Sequence, residues 1–412
     1  MFLSVIFLNG IIFLNQISKK ILITNFFEIS FIGLILSLCI AKILNIFIPL
    51  NDILLYLNIL FVVIYLFIKK INFKKIKIDK LIFLTVLLIS LINIFGSNFS
   101  DDLDHYHYSY ILNTDKTNYI WGLNYLHPLY GTSSIWLIGQ SYFNFDFSRL
   151  QDIHILNGLI LFLFLGIFLS QLRIKNKLTN IFQPIFFSIL IFVLLKYTRL
   201  KEFGIDRPAY LILFISFYFY LKYLNNYKSN EINNHFLIFS IIILSIFFIK
   251  VIFIFLLLFP LLYFYKNYKK IDILNKKYML LFIFLFSYFI NNILISGCLI
   301  YPLTISCIEY LPWTNLDIIN QFKNSNEIFN KSFPSYEGLL ISNEYIKNFN
   351  WISTWFVRHK IELLEFIITI ILVIILSFVS FKYKKKLKSN SFDLYFFNKA
   401  LLIILFFSIL FF

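Results

Sequence analysis

Long apolar runs set the first limit on what this chain can fold into. Stretches of about 14–23 residues, nearly free of charge, recur at 2–17, 26–48, 53–68, 81–96, 153–171, 181–198, 208–224, 236–249, 251–265, 278–297, 361–381 and 396–412. A helix rises ~1.5 Å per residue and the hydrocarbon core of a bilayer is ~30 Å thick, so runs of this length suit membrane-crossing helices. A mean hydropathy of +0.81 with only 14% charged residues excludes a soluble globular protein, which would need more polar surface than this chain possesses. The expected fold is all-α and polytopic: one transmembrane domain over residues 1–412 with about 12 spanning helices.

The formal charge of +16 is unevenly placed. Basic residues collect at Lys19–Lys20, Lys69 to Lys80, Arg173 to Lys177, Lys222 and Lys228, Lys266 to Lys277 and Lys382 to Lys399. These loops hold 24 of the 37 Lys and Arg against five acids (Glu28, Asp79, Glu231, Asp272, Asp393), which leaves 13 basic and 16 acidic residues elsewhere. The positive-inside rule makes these loops cytoplasmic, in contact with anionic membrane lipids, and explains the basicity without nucleic acid. For residues 236–265 both flanks are lysine-rich, so both can be cytoplasmic only if the stretch is a hairpin turning near Lys250 at the far face. A lysine snorkels there, whereas at mid-bilayer it would cost several kcal/mol. The N-terminus is then outside.

The first span lacks a basic n-region and a small-residue cleavage site, so it reads as a retained helix rather than a signal peptide. The last residues, SILFF, stop inside an apparent helix, and the protein is expected to continue. Cys39, Cys298 and Cys307 form no disulfide framework, though the last two would be able to pair on an oxidising side. No P-loop, dinucleotide fingerprint or zinc spacing occurs.

This topology leaves two large extracytoplasmic loops, 97–152 and 298–360. The first opens with SDDLDHYHY, placing Asp101, Asp102, Asp104, His105 and His107 just above the membrane. The segment that follows suits a short interfacial helix, and GTSSIWLIGQSYF (131–143) is too short to span, so it is expected at the interface or dipping in and returning. All five tryptophans fall in these loops, as an interfacial aromatic belt would have them. Against 32 lysines there are five arginines, four of them on the outer side. A guanidinium binds phosphate through a planar fork that lysine lacks. In TRLKEFGIDRPAY, Arg199 and Arg207 bracket Asp206, and Pro208 suits a first helical turn; helix capping alone accounts for the acid.

The constellation resembles the GT-C class of membrane glycosyltransferases and, more closely, an uncharacterised bacterial multi-pass family related to it. Asp102 with Tyr106 and His107 fits the class's acidic residue early in the first large loop. The Gly-Leu, Leu-His, Gly and Ser-Ser-Trp pattern of the closer family stands as GLNYLHPLYGTSSIW, and the two later elements as Asp206-Arg207-Pro208 and NNILISGCLIYP. The resemblance covers most of residues 27–360. It implies a lipid-linked sugar donor on a polyprenyl phosphate, a cell-envelope glycan or lipid acceptor, and no cofactor. Asp102 would be the catalytic base that deprotonates the acceptor hydroxyl. Arg199, Arg207 and Lys250 would clamp the leaving phosphate, and Asp206 would orient an arginine or bind sugar hydroxyls. Tyr106, His107 and His127 would contact substrate. A divalent metal is conceivable among the outer histidines, but spacing fixes no third ligand beyond Asp101 and His105. The competing readings are a polysaccharide polymerase or flippase-like handler of lipid-linked oligosaccharides, and a non-catalytic subunit of an envelope-assembly complex.

Overall fold

A computed structural model of the protein describes residues 1–18, 23–69, 73, 76–95, 103–143, 155–173, 185–190, 192–194, 204–225, 231–332, 349 and 351–384. Among these the fold is all-helical, and β structure is limited to isolated bridges pairing Asn25 with Lys77 and Cys298 with Cys307. The first half of the chain gives α1 (Phe2–Ile17), α2 (Phe26–Asn45), α3 (Asp52–Ile68), α4 (Lys80–Phe95), α5 (Tyr108–Lys116), α6 (Ile135–Tyr142) and α7 (Ile155–Arg173). The second gives α8 (Asp206–Asn225), α9 (Ile232–Ile249), α10 (Leu258–Asn267), α11 (Met279–Ser296), α12 (Leu316–Ser332) and α13 (Trp351–Lys384). By length and composition four described stretches can cross a membrane: Phe26–Asn45, Ile155–Leu172, Ile232–Ile249 and Lys276–Ser296. Shorter apolar helices include Phe2–Ile17, Asp52–Ile68, Lys80–Ile92 and Val251–Asn267.

Helix α2 is the hub. It packs against α1, α6, α7, α9 and α11 and is buried along nearly its whole length. Its start is set by Asn25, whose side chain accepts from the amides of Phe27 at 2.8 Å and Glu28 at 3.4 Å, an N-cap that satisfies two otherwise orphaned donors. The antiparallel contact with α1 depends on glycine. A Cβ on Gly33 would lie 1.7 Å from the Ile6 carbonyl oxygen, and one on Gly10 2.1 Å from that of Ile29. Where lipid replaces water, close backbone approach supplies the dispersion that holds helices together. Asn9 donates to Ser37 at 3.0 Å across the same crossing. Helix α3, by contrast, presents Ile53, Leu57, Leu60, Phe61, Ile64 and Phe67 outward, an apolar surface suited to acyl chains.

Side-chain contacts sort the helix termini into two ends. At one, Glu28 beside the start of α2 meets Lys222 and Gln171 from the C-terminal turns of α8 and α7, and Lys277 reaches the Ile17 carbonyl and Asn234. This lysine end corrects the reading of Glu28 as a loop acid. Glu28 lies in the first turn of α2, 1% exposed, with its carboxylate accepting from Lys222, from Tyr218 at 2.5 Å and from Gln171 at 3.5 Å. The opposite end gathers the C-termini of α2, α9 and α11 with the segment 103–142.

The apolar stretch 236–265 doubles back. Helix α9 stops at Lys250, which is extended (φ −147°, ψ 120°), and a 3-10 segment, Val251–Leu257, leads into α10. The Phe236 ring meets Tyr263 at 6.3 Å and Phe264 at 6.0 Å, a pairing nearly symmetrical about Lys250. Within residues 131–143, every residue of α6 is buried, packed against α2 and α5. Cys298 and Cys307 are joined in a disulfide.

Candidate functional site

Asp102 and Arg199 lie outside the described residues, as does Asp101. Leu103, the residue after Asp102, is buried and packs with Ile111 and Tyr108. Residues Leu103–His107 form a π-helical turn that runs into α5. This turn brings three predicted residues together. The Tyr106 ring lies parallel to His127 (centroids 6.1 Å apart, 5° between planes) and 4.1 Å from His107. His107 is buried. His127 caps the 3-10 turn Pro128–Thr132, its Nδ1 accepting from the Leu129 amide at 3.3 Å. With Nδ1 as acceptor, the neutral ring carries its proton on Nε2.

A second group forms where α8 begins. Asp206 is its first residue, and Lys250 donates to the Asp206 carboxylate at 2.6 Å, tying the tip of the α9–α10 hairpin to α8. Both side chains are partly exposed, so the ion pair contributes at most ~1 kcal/mol and its worth is positional. Arg207, half-buried, follows in the same turn.

Ser133 and Ser134 connect the two groups. Ser134 caps α6 and donates to the Ile249 carbonyl at 2.9 Å, one residue from Lys250. Ser133 adopts a left-handed backbone (φ 42°). Lys42, on the hub helix and 1% exposed, donates to the Ser133 carbonyl at 2.6 Å and to its hydroxyl at 3.0 Å, with Nζ 4.7 Å from the centre of the Tyr288 ring. Among the described residues no carboxylate pairs with it. The Tyr119 hydroxyl meets Ser133 Oγ at 3.0 Å. Burial pushes the Tyr110 and Tyr119 hydroxyls well above the ordinary phenol range, so both remain protonated donors. Tyr110 in turn faces Tyr130 at 5.8 Å, and Tyr130 faces His127 at 5.5 Å, which closes a path of contacts from His127 to Lys42. Lys42, Tyr110 and Tyr119 were not singled out from the sequence, and Ser133 entered there only as part of the Ser-Ser-Trp pattern. The available signal was a lysine inside the run 26–48, because a charge embedded in a span demands a partner.

The two glycine-containing sequence patterns turn out to be one packed unit. Gly122 is left-handed (φ 68°), its amide donates to the Leu294 carbonyl at 2.8 Å, and a Cβ there would meet Trp313 at 2.9 Å. Gly131 lies against the Tyr301 ring, where a Cβ would come within 2.7 Å. Trp136 is fully buried and donates to Asn157 at 2.9 Å. From NNILISGCLIYP, Asn291 donates to the Lys42 carbonyl at 3.3 Å and Asn292 to that of Leu299 at 2.9 Å. The conspicuous residues of both patterns are therefore the joints of a scaffold beneath the 103–142 segment. Among the described residues, no group of three or more His, Cys, Asp and Glu side chains is placed to hold a metal.

No curated protein and no solved structure matches the chain. A family model described as Domain of unknown function (DUF8201) matches residues 1–412, and the chain belongs to that family.

Proposed function

We propose, for this member of the DUF8201 family, that it is a multi-pass membrane glycosyltransferase that moves a sugar from a polyprenyl-phosphate donor to a cell-envelope glycan or lipid acceptor. The membrane would be a bacterial inner membrane, with the active end of the bundle facing outward. The observation that carries this reading is the stacking of Tyr106 on His127 beside the buried His107, directly after the acidic segment and at the same end as the Asp206–Lys250 pair. A site shared between loops would need such groups at one end of the bundle, which supports this reading. The Cys298–Cys307 disulfide supports an oxidising environment at this end, and the lysines at the other support a cytoplasmic face.

In this mechanism Asp102 takes the acceptor hydroxyl proton as the new bond to the anomeric carbon forms and the bond to the phosphate oxygen breaks. The configuration inverts. Arg199, Arg207 and Lys250 receive the charge that develops on the departing polyprenyl phosphate. His107 and His127 hold sugar hydroxyls, and aromatic faces such as Tyr106 cover the apolar side of the ring.

The test is sugar transfer from radiolabelled polyprenyl-phosphate sugar by protein in nanodiscs. Asp102→Asn keeps the side chain's size and most of its hydrogen bonding, so donor binding should survive while transfer falls by roughly 10²–10⁴, the usual contribution of a positioned general base. Undiminished transfer in Asp102→Asn, Asp101→Asn and Asp104→Asn alike would refute the assignment. Movement of the labelled lipid across the bilayer without sugar transfer would replace it with translocation.

A further inference from the structure

We propose that two loop segments at the Lys250 end, residues 118–126 and 299–313, form a rigid apolar shelf that inserts into the lipid headgroup region. Together these 24 residues carry one charge, Glu309, and six aromatic side chains. That composition is foreign to a water-facing loop and typical of the membrane interface, where Trp and Tyr present an apolar body to lipid and a polar tip to water.

Tyr119, Leu123 and Tyr301 anchor the segments in the core, and other apolar side chains are turned outward. Ile305 is 96% exposed, Tyr310 86%, Leu126 73% and Trp121 63%. They are also held in place, which separates a built surface from a loose loop. The disulfide closes residues 298–307, the Leu299 amide donates to the Ser306 carbonyl at 2.9 Å, and the Ile300 amide donates to Ser306 Oγ at 3.1 Å, so Ile305 projects from a stapled turn. Gly122 is fastened to α11 through the Leu294 carbonyl, and the Trp313 indole donates to the neighbouring Ile293 carbonyl at 2.8 Å. Trp121 and Trp313 touch at 4.8 Å between ring centres, making the two segments one surface. The near absence of charge, the tryptophans and the root on a membrane-type helix all favour lipid as the occupant over a protein partner, whose interface would carry a polar rim.

The experiment places the photocrosslinker p-benzoylphenylalanine at Ile305, at Leu126 and, as a control, at Lys323 on the exposed face of α12. The full chain is reconstituted in phosphatidylethanolamine–phosphatidylglycerol vesicles and adducts are read by mass spectrometry. Lipid adducts at 305 and 126, with loss of the adduct at 323, are expected. Crosslinks from 305 to another protein chain, or no adduct at 305, would overturn the proposal. The shelf rests on membrane embedding and on none of the transfer chemistry. Lipid adducts in a protein that transfers no sugar would leave the shelf standing and remove the enzyme.

Discussion

Replacing Lys222 with methionine is the sharpest test of how the bundle is held at its lysine end. The substitution keeps the length and apolar stem of the side chain and deletes the cation paired with Glu28, whose side chain is 1% exposed while that of Lys222 is 27% exposed. Removing one partner of a buried ion pair typically costs about 3–5 kcal/mol, because the other charge is left without compensation. Tyr218 and Gln171 still donate to the Glu28 carboxylate, which places Lys222→Met near about 3 kcal/mol. Glu28→Gln should cost less, about 1–2 kcal/mol, since an amide oxygen still accepts from Tyr218 and Lys222 can extend its ammonium into water. The double variant buries neither charge and should be less destabilised than Lys222→Met alone. The resulting coupling is about 2 kcal/mol or more, well above the few tenths seen between independent sites. Thermal unfolding of the four proteins in one detergent, followed by tryptophan fluorescence, measures it. Wild-type stability for Lys222→Met, or strict additivity in the double variant, would refute the account.

Other consequences can be checked in the same preparation. Gly33→Ala should destabilise by about 1–3 kcal/mol or more and expose α1 to protease, given the 1.7 Å approach of its Cβ to Ile6; an unchanged midpoint would sink the close-crossing argument. Ser133→Gly should be tolerated better than Ser133→Ala by about 1 kcal/mol, because both lose the hydroxyl but only glycine is at ease at φ 42°. The reverse order would mean the left-handed turn is not held. Single cysteines at Lys250 and Leu274 should react with an impermeant maleimide from opposite sides of the membrane, and labelling from one side would break the hairpin topology.

How legible this structure was depends on the range of each interaction. The break at Lys250 and the start of α8 at Asp206 could be read because a lone lysine in a 30-residue apolar stretch, and a proline in a first turn, act through local chemistry. The mates of Glu28 and Lys42 could not. An embedded charge announces that a partner exists, but Ser133 is 91 residues from Lys42 and Lys222 is 194 residues from Glu28. The burial of α6 was equally hidden, since an eight-residue apolar helix is too short for periodicity to separate a buried segment from an interfacial one. Of the candidate site residues, Tyr106, His107 and His127 proved to be neighbours, and so did Asp206 and Lys250. The cysteine pair required a tight turn around Ile300 to Ser306 that spacing alone does not specify.

The hub helix also imposes a timetable on biogenesis. If α2 spans, as its length and composition allow, it reaches the bilayer during synthesis with Glu28 and Lys42 already aboard and neither mate yet made. At about 5–20 residues per second, Ser133 follows Lys42 after roughly 5–18 s, and Lys222 follows Glu28 after roughly 10–40 s. Until then the lysine, which sits in the last turn of α2, must lean toward headgroups or stay near the translocon, since an embedded charge is costly until it reaches water or a partner. The helix at the middle of the finished bundle is therefore among the first made and among the last settled, and a ribosome stalled between residues 45 and 133 should leave it only loosely inserted.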